Sequence, residues 1–402
     1  MALSNTSERY GSVAKTFHWL TALLILTLIP LGFYANQLPY TTSEELALKA
    51  WYFSVHKTIG VAAFFVALGR ILWALSQPKP GLLNADHKVE SFAAEVVHWV
   101  LYASLVIVPL SGWISHAAAS GYAPIWWPLG QGLPLVPQST TVEHVVGALH
   151  GVAAKVLIAS LILHIAGALK HHVVDKDSTL RRMLPGRASL PPLPPQHASA
   201  TPALSASVLW VGVLGIAGVI ALSAEQTSVA APAPELAEVS SEWQVLEGGI
   251  NISVVQFGSE VAGSFSDWTA EIAFDDTIDM GKAGTVRTTI SIPSLTLGSV
   301  TDQAMGADFF DAANHATAVF EADLMHASDG YEAQGTLTIK GNEVPVVLPF
   351  TLSVQGDEAQ MRGDLALNRL DFGIGQNMPD ESSLGFTVNV NVTLKAGRAA
   401  TS

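Results

Sequence analysis

Residues 149–164, LHGVAAKVLIASLILH, decide how the first half of this chain folds. The stretch is almost entirely apolar, yet it carries His150 and His164, fourteen residues apart. Fourteen residues of an α-helix rise about 21 Å and return to nearly the same face. In a membrane helix the two imidazoles would therefore point the same way, one near each side of the bilayer. Because a polar side chain is costly inside hydrocarbon, such histidines predict a functional site.

The composition divides the chain into two halves. Of the 402 residues, 49% are hydrophobic and only 13% are charged. Residues 1–200 hold 13 Lys and Arg against 9 Asp and Glu, whereas the remainder holds 7 against 25. A basic apolar half followed by an acidic half predicts two domains in different surroundings, and the acidic half argues against nucleic acid as a partner.

The chain contains no cysteine. Its absence excludes disulfides, thiolate metal sites, iron–sulfur clusters and covalent c-type haem attachment. Any metal chemistry must therefore depend on histidine and carboxylate side chains.

Five stretches are long enough to cross a bilayer. They are residues 16–35, 53–75, 92–117, 144–169 and 206–224. Lys and Arg collect after the second and fourth stretches, which predicts a cytoplasmic N-terminus and export of everything after residue 224. We therefore expect a membrane protein with an exported C-terminal domain, which in a bacterium means the inner membrane and the periplasm. The fifth stretch resembles a signal peptide but is long for one, so we expect an uncleaved anchor.

The histidines pair by their predicted depth in the membrane. His18 and His164 fall near the inner side, whereas His56 and His150 fall near the outer side. Two neutral imidazoles from facing helices are the ligands that hold a b-type haem without covalent attachment. Arg70, fourteen residues after His56, would lie near the inner haem and pair with a propionate; the alternative is an arginine that reaches to the cytoplasmic interface. The sequence therefore predicts two haem b groups.

Three motifs resemble the prokaryotic cytochrome b561 family over about residues 8–187. They are RYGSVAKTFHWL, VHKTIGVAAFFVALGRILW and LHGVAAKVLIASLILHIAGALKHHVVDKDSTLRRMLPG. The resemblance implies a four-helix dihaem bundle whose ligands match the four histidines above. It also implies electron exchange between membrane quinone and a partner, with superoxide as the reductant of some members. His171 would then lie beside the inner haem and exchange protons with a quinone; its alternative is a basic residue at a helix end.

From residue 241 the pattern alternates instead of following a helix. FTVNVNVTL and YEAQGTLTI place their apolar residues on one face, which predicts strands of an antiparallel barrel. VAGSFSDWTAEIAFD, ADFFDAANHATAVFEA, GTLTIKGNEVPVVLPFTL and GDLALNRLDFGIG resemble the YceI-like family over about residues 245–395. The resemblance implies a lipocalin-like barrel that binds polyisoprenoid lipids, isoprenoid quinones included. GGINISVVQFG departs from the family, whose members commonly carry Ser-His near the first strand.

We therefore predict a multidomain fold, with an all-α transmembrane four-helix dihaem bundle and a fifth transmembrane helix before an all-β antiparallel lipocalin-like barrel. The predicted parts are the bundle (1–187), a Pro-rich cytoplasmic linker (188–205), the fifth helix (206–224), a periplasmic linker (225–240) and the barrel (241–397).

The predicted function is a membrane cytochrome that exchanges electrons with the isoprenoid quinone pool and carries a quinone- or lipid-binding barrel. The expected partners are the lipid bilayer, an isoprenoid quinone or other polyisoprenoid lipid, and a redox protein. Two alternatives stay open. One is a lipid carrier with a redox-sensing cytochrome anchor, and the other is a cytochrome subunit of a separate periplasmic dehydrogenase.

Overall fold

The computed structural model describes residues 2–119, 123–126, 132–186, 199–227, 236–237, 239, 241–275, 277–278, 280–298, 300–328 and 330–398. These residues form two compact units. One consists of long helices and the other contains the strands. Most residues of the two predicted linkers lie outside the described ranges.

Within the described ranges, five helices are long and apolar enough to cross a membrane. They are α1 (Ser12–Gln37), α2 (Ser43–Leu75), α3 (Lys88–Ala118), α4 (Thr140–Val173) and α5 (Thr201–Thr227). This agrees with the five predicted spans. The helix α5 begins five residues before the predicted span, so it takes in the end of the predicted Pro-rich linker.

Small and branched apolar side chains hold the helical unit together. Ile25, Ala67, Leu105 and Leu157 contribute one buried side chain from each of α1 to α4 and meet at the centre of the bundle. Trp210 and other residues of α5 pack against α3 and α4. Because lipid chains are as apolar as these side chains, close packing supplies the attraction between the helices.

The second unit is an antiparallel barrel. Its strands are β1 (Trp243–Gln256), β2 (Ser259–Phe265), β3 (Trp268–Phe274), β4 (Lys282–Ser291), β5 (Leu295–Thr296), β6 (Thr317–Ala327), β7 (Gly330–Ile339), β8 (Asn342–Gln355), β9 (Glu358–Asn368) and β10 (Leu384–Arg398). The order β3-β4-β6-β7-β8-β9-β10-β1 closes because β1 pairs with both β10 and β3, while β2 and β5 continue the sheet beside β1. Closure leaves these eight strands without free edges.

The alternation predicted for the strands is present in the structure. On β10, Val390 and Val392 face the interior, and on β7 Ala333 and Leu337 do so. Side chains that point to the same side of a strand recur every second residue, so a period of two buries one face and exposes the other. The predicted lipocalin-like architecture is therefore confirmed.

Two connections cover one end of the barrel. The first contains the short helix α6 (Thr301–Met305) and contributes Phe309 and Phe310 to the interior. The second follows β9, begins with a 3₁₀ turn at Arg369–Phe372 and contributes Met378.

Arg369 holds the second connection in place. Its side chain is 3% exposed, and its guanidinium donates to the backbone carbonyls of Ile374, Gly375, Met378, Leu384 and Gly385. These five bonds use all five N–H groups of a guanidinium. The arginine therefore organises a loop that has no regular secondary structure over most of its length.

We expect Arg369→Met to destabilise the barrel by roughly 3–5 kcal/mol, because buried carbonyls lose charged donors. Urea unfolding of the full chain, followed by hydrogen exchange in barrel peptides, measures this change. Arg362→Met, at an exposed position on β9, is the matched control and should have little effect. Equal unfolding midpoints for the two variants would contradict the role given to Arg369.

Candidate functional site

The inner pair of histidines lies between α1 and α4. The ring centroids of His18 and His164 are 6.1 Å apart. Two nitrogens bound to one metal ion at about 2 Å each lie about 4 Å apart, with the ring centres further out. The observed spacing therefore fits two imidazoles that share one iron.

A cation and a third imidazole surround this inner pair. The half-buried Arg70 guanidinium lies 3.4 Å from His18 Nδ1 and stacks 5.4 Å from the Tyr102 ring centroid. Among the described residues no carboxylate pairs with Arg70. The ring of His98 lies 5.0 Å from that of His164. The residues around this site therefore present a positive charge without a protein anion, which suits an anionic substituent of a cofactor.

The outer pair is shaped by glycines on the neighbouring helices. A Cβ at Gly32 would lie 2.8 Å from His56 Cε1, and a Cβ at Gly112 would lie 3.0 Å from His150 Cε1. Any larger residue would therefore push on the imidazoles. The two rings need the space that these glycines leave open.

A backbone carbonyl selects which nitrogen of His150 carries the proton. His150 Nδ1 lies 2.9 Å from the Val108 carbonyl, so it must donate. His56 Nδ1 is buried and makes no hydrogen bond among the described residues. A proton on Nδ1 leaves Nε2 with a free lone pair, the arrangement found in metal-bound histidines.

The chain leaves α4 so that it folds back onto His171. Lys176 has a φ of +56°, and the turn brings the Asp177 carboxylate to 2.6 Å from His171 Nδ1. His171 is 8% exposed and also faces Glu90 at 3.5 Å and Asp175 at 3.2 Å. The predicted site residue His171 thus lies in an acidic cluster at the end of α4.

The motif that follows this turn closes the same end of the bundle. Arg182 donates to the carbonyls of Gly81 and Glu8. Lys15 and Trp19, on the first turns of α1, donate to carbonyls of residues 183–186. The segment DSTLRRMLPG therefore ties together α1, the connection after α2 and the end of α4.

A polar contact between α2 and α3 was not predicted from the sequence. Lys57, directly after His56, lies 3.1 Å from His116 Nδ1 on α3. The available signal was a lysine within an apolar span, since charged residues there are rare and usually paired. The other lysine in such a position, Lys155, lies on an exposed side of α4.

The barrel encloses two adjoining apolar cavities of about 170 and 160 Å³. Ile250, Ile290, Leu337, Leu367 and Val390 line both cavities, so the two form one lumen. An apolar cavity of about 150 Å³ holds a molecule as large as benzene. Two such cavities in succession suit an elongated hydrocarbon chain. Neither His315 nor His326 lines them, and among the described residues neither belongs to a group that could hold a metal ion.

Comparison with known proteins identifies both units. Residues 9–186 match the family model of prokaryotic cytochrome b561, and residues 234–396 match that of the YceI-like domain. Cytochrome b561 homolog 2 of Escherichia coli (strain K12) is 31% identical over 192 residues, which make up 47% of this chain and 97% of that protein. The chain belongs to the prokaryotic cytochrome b561 family. It carries a YceI-like domain in addition.

Other cytochrome b561 relatives and one barrel structure are also similar. The protein named probable superoxide oxidase CybB of Yersinia pestis is 28% identical over 182 residues, which are 44% of this chain and 97% of that protein. The crystal structure of Burkholderia cenocepacia BcnA is 28% identical, covers 37% of this chain and 95% of its own, and gives a TM-score of 0.35.

Membership of the cytochrome b561 family makes the helical unit a membrane electron-transfer domain and implies b-type haem. The YceI-like match makes the second unit an isoprenoid-binding barrel. Within the cytochrome b561 domain, the structure brings His18, His164 and Arg70 together at one level. It places His171 in a separate cluster with carboxylates.

Hydrogen bonding at Asp177 makes the turn after α4 sensitive to acid. Partial burial opposes its charge, but hydrogen bonds from Thr179 and His171 outweigh this effect and lower the pKa of the carboxyl. A lowered folded-state pKa stabilises the turn above the unfolded value of about 3.9, and the stabilisation is lost as the pH falls through the folded value.

We expect Asp177→Asn to speed hydrogen exchange in residues 174–186 by about fivefold at pH 6, the equivalent of one hydrogen bond. The ratio of variant to wild-type exchange should approach one as the pH drops below about 4. Asp86→Asn, in the exposed connection before α3, is the control. A ratio that stayed constant from pH 6 to strongly acidic pH would show that the carboxylate charge plays no part.

Proposed function

We propose that this protein is a quinone-linked membrane cytochrome with two b-type haems per chain and a periplasmic barrel that holds an isoprenoid quinone. His18 and His164 would hold the inner haem, and His56 and His150 the outer one. The observation that carries the proposal is the approach of His18 and His164, whose ring centroids lie 6.1 Å apart. The sequence predicts a second pair, His56 and His150, near the other side of the bilayer. When bound, haem iron supplies the one-electron chemistry.

The protein groups around each pair have separate tasks in this proposal. The carbonyl of Val108 orients His150 and keeps its Nε2 available as a ligand. Arg70 would neutralise a haem propionate at the inner site, because it has no carboxylate partner among the described residues. The apolar centre of the bundle, with Leu157 midway between His150 and His164, excludes water between the two sites.

His171 would exchange protons with a quinone at the cytoplasmic mouth. The support is its position at the end of α4 among Glu90, Asp175 and Asp177, which can accept a proton or pass one on. Quinone reduction consumes protons as well as electrons, so a titratable group at the membrane surface is needed. The hydrogen bond to Asp177 holds the imidazole in place for this task.

The proposed orientation places the N-terminus in the cytoplasm and the barrel in the periplasm, because Lys and Arg collect in the connections on one side. The predicted linker of residues 225–240 is about 50 Å long at most if it is semi-extended at about 3.1 Å per residue. A tether of this length gives effective concentrations on the order of millimolar. The barrel would thus deliver quinone to, or receive it from, the outer haem.

Superoxide is a second candidate electron donor, beside membrane quinol. The support is similarity to the Yersinia pestis protein named probable superoxide oxidase. In this version the bundle would pass electrons from superoxide to quinone, and the barrel would have the same task. Stopped-flow mixing of the purified protein with superoxide, followed at the haem absorbance bands, distinguishes the two donors.

We expect one haem per chain in His164→Ala and two in the wild type, because each imidazole ligates only its own iron. The pyridine haemochrome assay on purified protein measures the number. His98→Ala removes a neighbouring imidazole that is not a proposed ligand, and it should keep both haems. One haem in the wild type, or loss of haem in His98→Ala alone, would contradict the assignment.

We also expect haem reduction by quinol in native membranes to slow several-fold when the chain is cut after residue 224. The shortened chain retains the part that aligns with 97% of the Escherichia coli relative, so its bundle should assemble. Free barrel added in trans should restore the rate only partly, since the tether no longer concentrates it. Equal kinetics with and without residues 225–402 would instead favour a barrel that serves another lipid pathway.

A further inference from the structure

The lumen of the barrel differs in polarity between its two ends. The cavity near Trp243 is lined almost entirely by apolar side chains, and the Trp243 indole N–H already donates to the Phe274 carbonyl. The cavity beneath the two connections contains three polar side chains, those of Gln256, Gln303 and Arg369. A ligand with one polar end would therefore have a preferred direction in the barrel.

Gln256 is the last inward-facing residue of β1. It follows Ile250, Ile252 and Val254 in the alternation of the strand, and all four line the same cavity. Its side chain is 4% exposed, and its Oε1 is buried without a hydrogen-bond partner. A buried amide oxygen without a partner is costly, and such groups in native proteins usually await a ligand or water. This residue lies in the stretch GGINISVVQFG, where the sequence departs from the YceI-like pattern.

Arg369 lies at the same end but has no hydrogen left to donate. Gln256 pairs with Leu384 across the sheet, and Arg369 donates to the carbonyl of Leu384. Four further backbone carbonyls take the other N–H groups of the guanidinium. A phosphate head group would therefore find no free arginine donor, and its burial would lack the hydrogen bonds that it needs.

We propose that the lumen takes an isoprenoid with an uncharged oxygen head group, which hydrogen-bonds to the amide of Gln256 while its chain extends toward Trp243. This inference rests on the isoprenoid-binding role given to the barrel above. A carboxamide offers both an acceptor and donors, so it fits a hydroxyl or a carbonyl. The net negative charge of residues 201–402 further disfavours an isoprenyl phosphate.

Three probes with the same branched carbon skeleton test the inference on the full-length protein in detergent. They are farnesol, farnesyl phosphate and the saturated hydrocarbon farnesane, and native mass spectrometry measures their binding. We expect the wild type to bind farnesol at least about tenfold more tightly than farnesyl phosphate. Gln256→Leu should weaken farnesol binding by roughly three- to tenfold, which corresponds to one hydrogen bond. It should leave farnesane binding unchanged, which also shows that the variant is folded.

Gln244→Leu is the matched control, because Gln244 lies on the same strand but is exposed. It should change the binding of none of the probes. Gln256→Asn keeps the amide and should weaken farnesol binding less than Gln256→Leu. Equal or tighter binding of farnesyl phosphate, or unchanged farnesol binding in Gln256→Leu, overturns the head-group assignment. If farnesane binds but the head group makes no difference, only this inference fails. If no probe binds, the isoprenoid-binding role fails with it.

Discussion

A polar atom removed from water must find a partner, and both units of this protein are organised by that requirement. In the membrane unit it applies to the imidazole nitrogens. The Val108 carbonyl accepts a hydrogen bond from Nδ1 of His150. Gly32 and Gly112 leave the space that the outer rings occupy. Between the histidines of the bundle, the apolar residues Ile25, Ala67, Leu105 and Leu157 pack against one another.

The same requirement explains why the irregular connections of the barrel are stable. A loop that covers an apolar lumen buries backbone carbonyls that have no strand to pair with. Arg369 donates to three such carbonyls and to two at the start of β10, and no carboxylate takes part in these bonds. This use of the guanidinium leaves the lumen with a charge nearby but without a free charged donor. Gln256 then becomes the residue on β1 that can recognise a head group.

In the proposed function, the two units would deal with complementary parts of one kind of molecule. A quinone has a redox-active ring that needs electrons and protons, and an isoprenoid chain that needs an apolar environment. The cytochrome b561 domain suits the first need through its paired imidazoles and the acidic cluster around His171. The YceI-like barrel suits the isoprenoid chain, because its two adjoining apolar cavities form one elongated lumen. In that proposal, joining them in one chain would tether the quinone carrier to the electron-transfer unit.

The sequence by itself determined the elements that follow from periodicity and hydropathy. Long apolar runs predicted five spans, the spacing of His150 and His164 placed both on one face, and alternation predicted the strands of the barrel. These signals are local, because helix and strand geometry repeats within a few residues. Helix ends were harder to predict. The helix α5 begins at Thr201, within a segment whose composition is that of a linker.

Only the tertiary structure decided which distant groups meet. Asp177 reaches His171 because Lys176 takes a left-handed backbone conformation. A lysine gives no sign of this conformation in the sequence, because the left-handed region favours glycine. Lys57 meets His116 through the packing of α2 on α3. All five N–H groups of Arg369 are taken by backbone carbonyls of its loop and of the start of β10. The Oε1 of Gln256 has no such partner, although sequence alone would rank the arginine as the stronger ligand. Hydrogen-bond partners depend on how the backbone closes around a side chain, and that closure is a property of the whole fold.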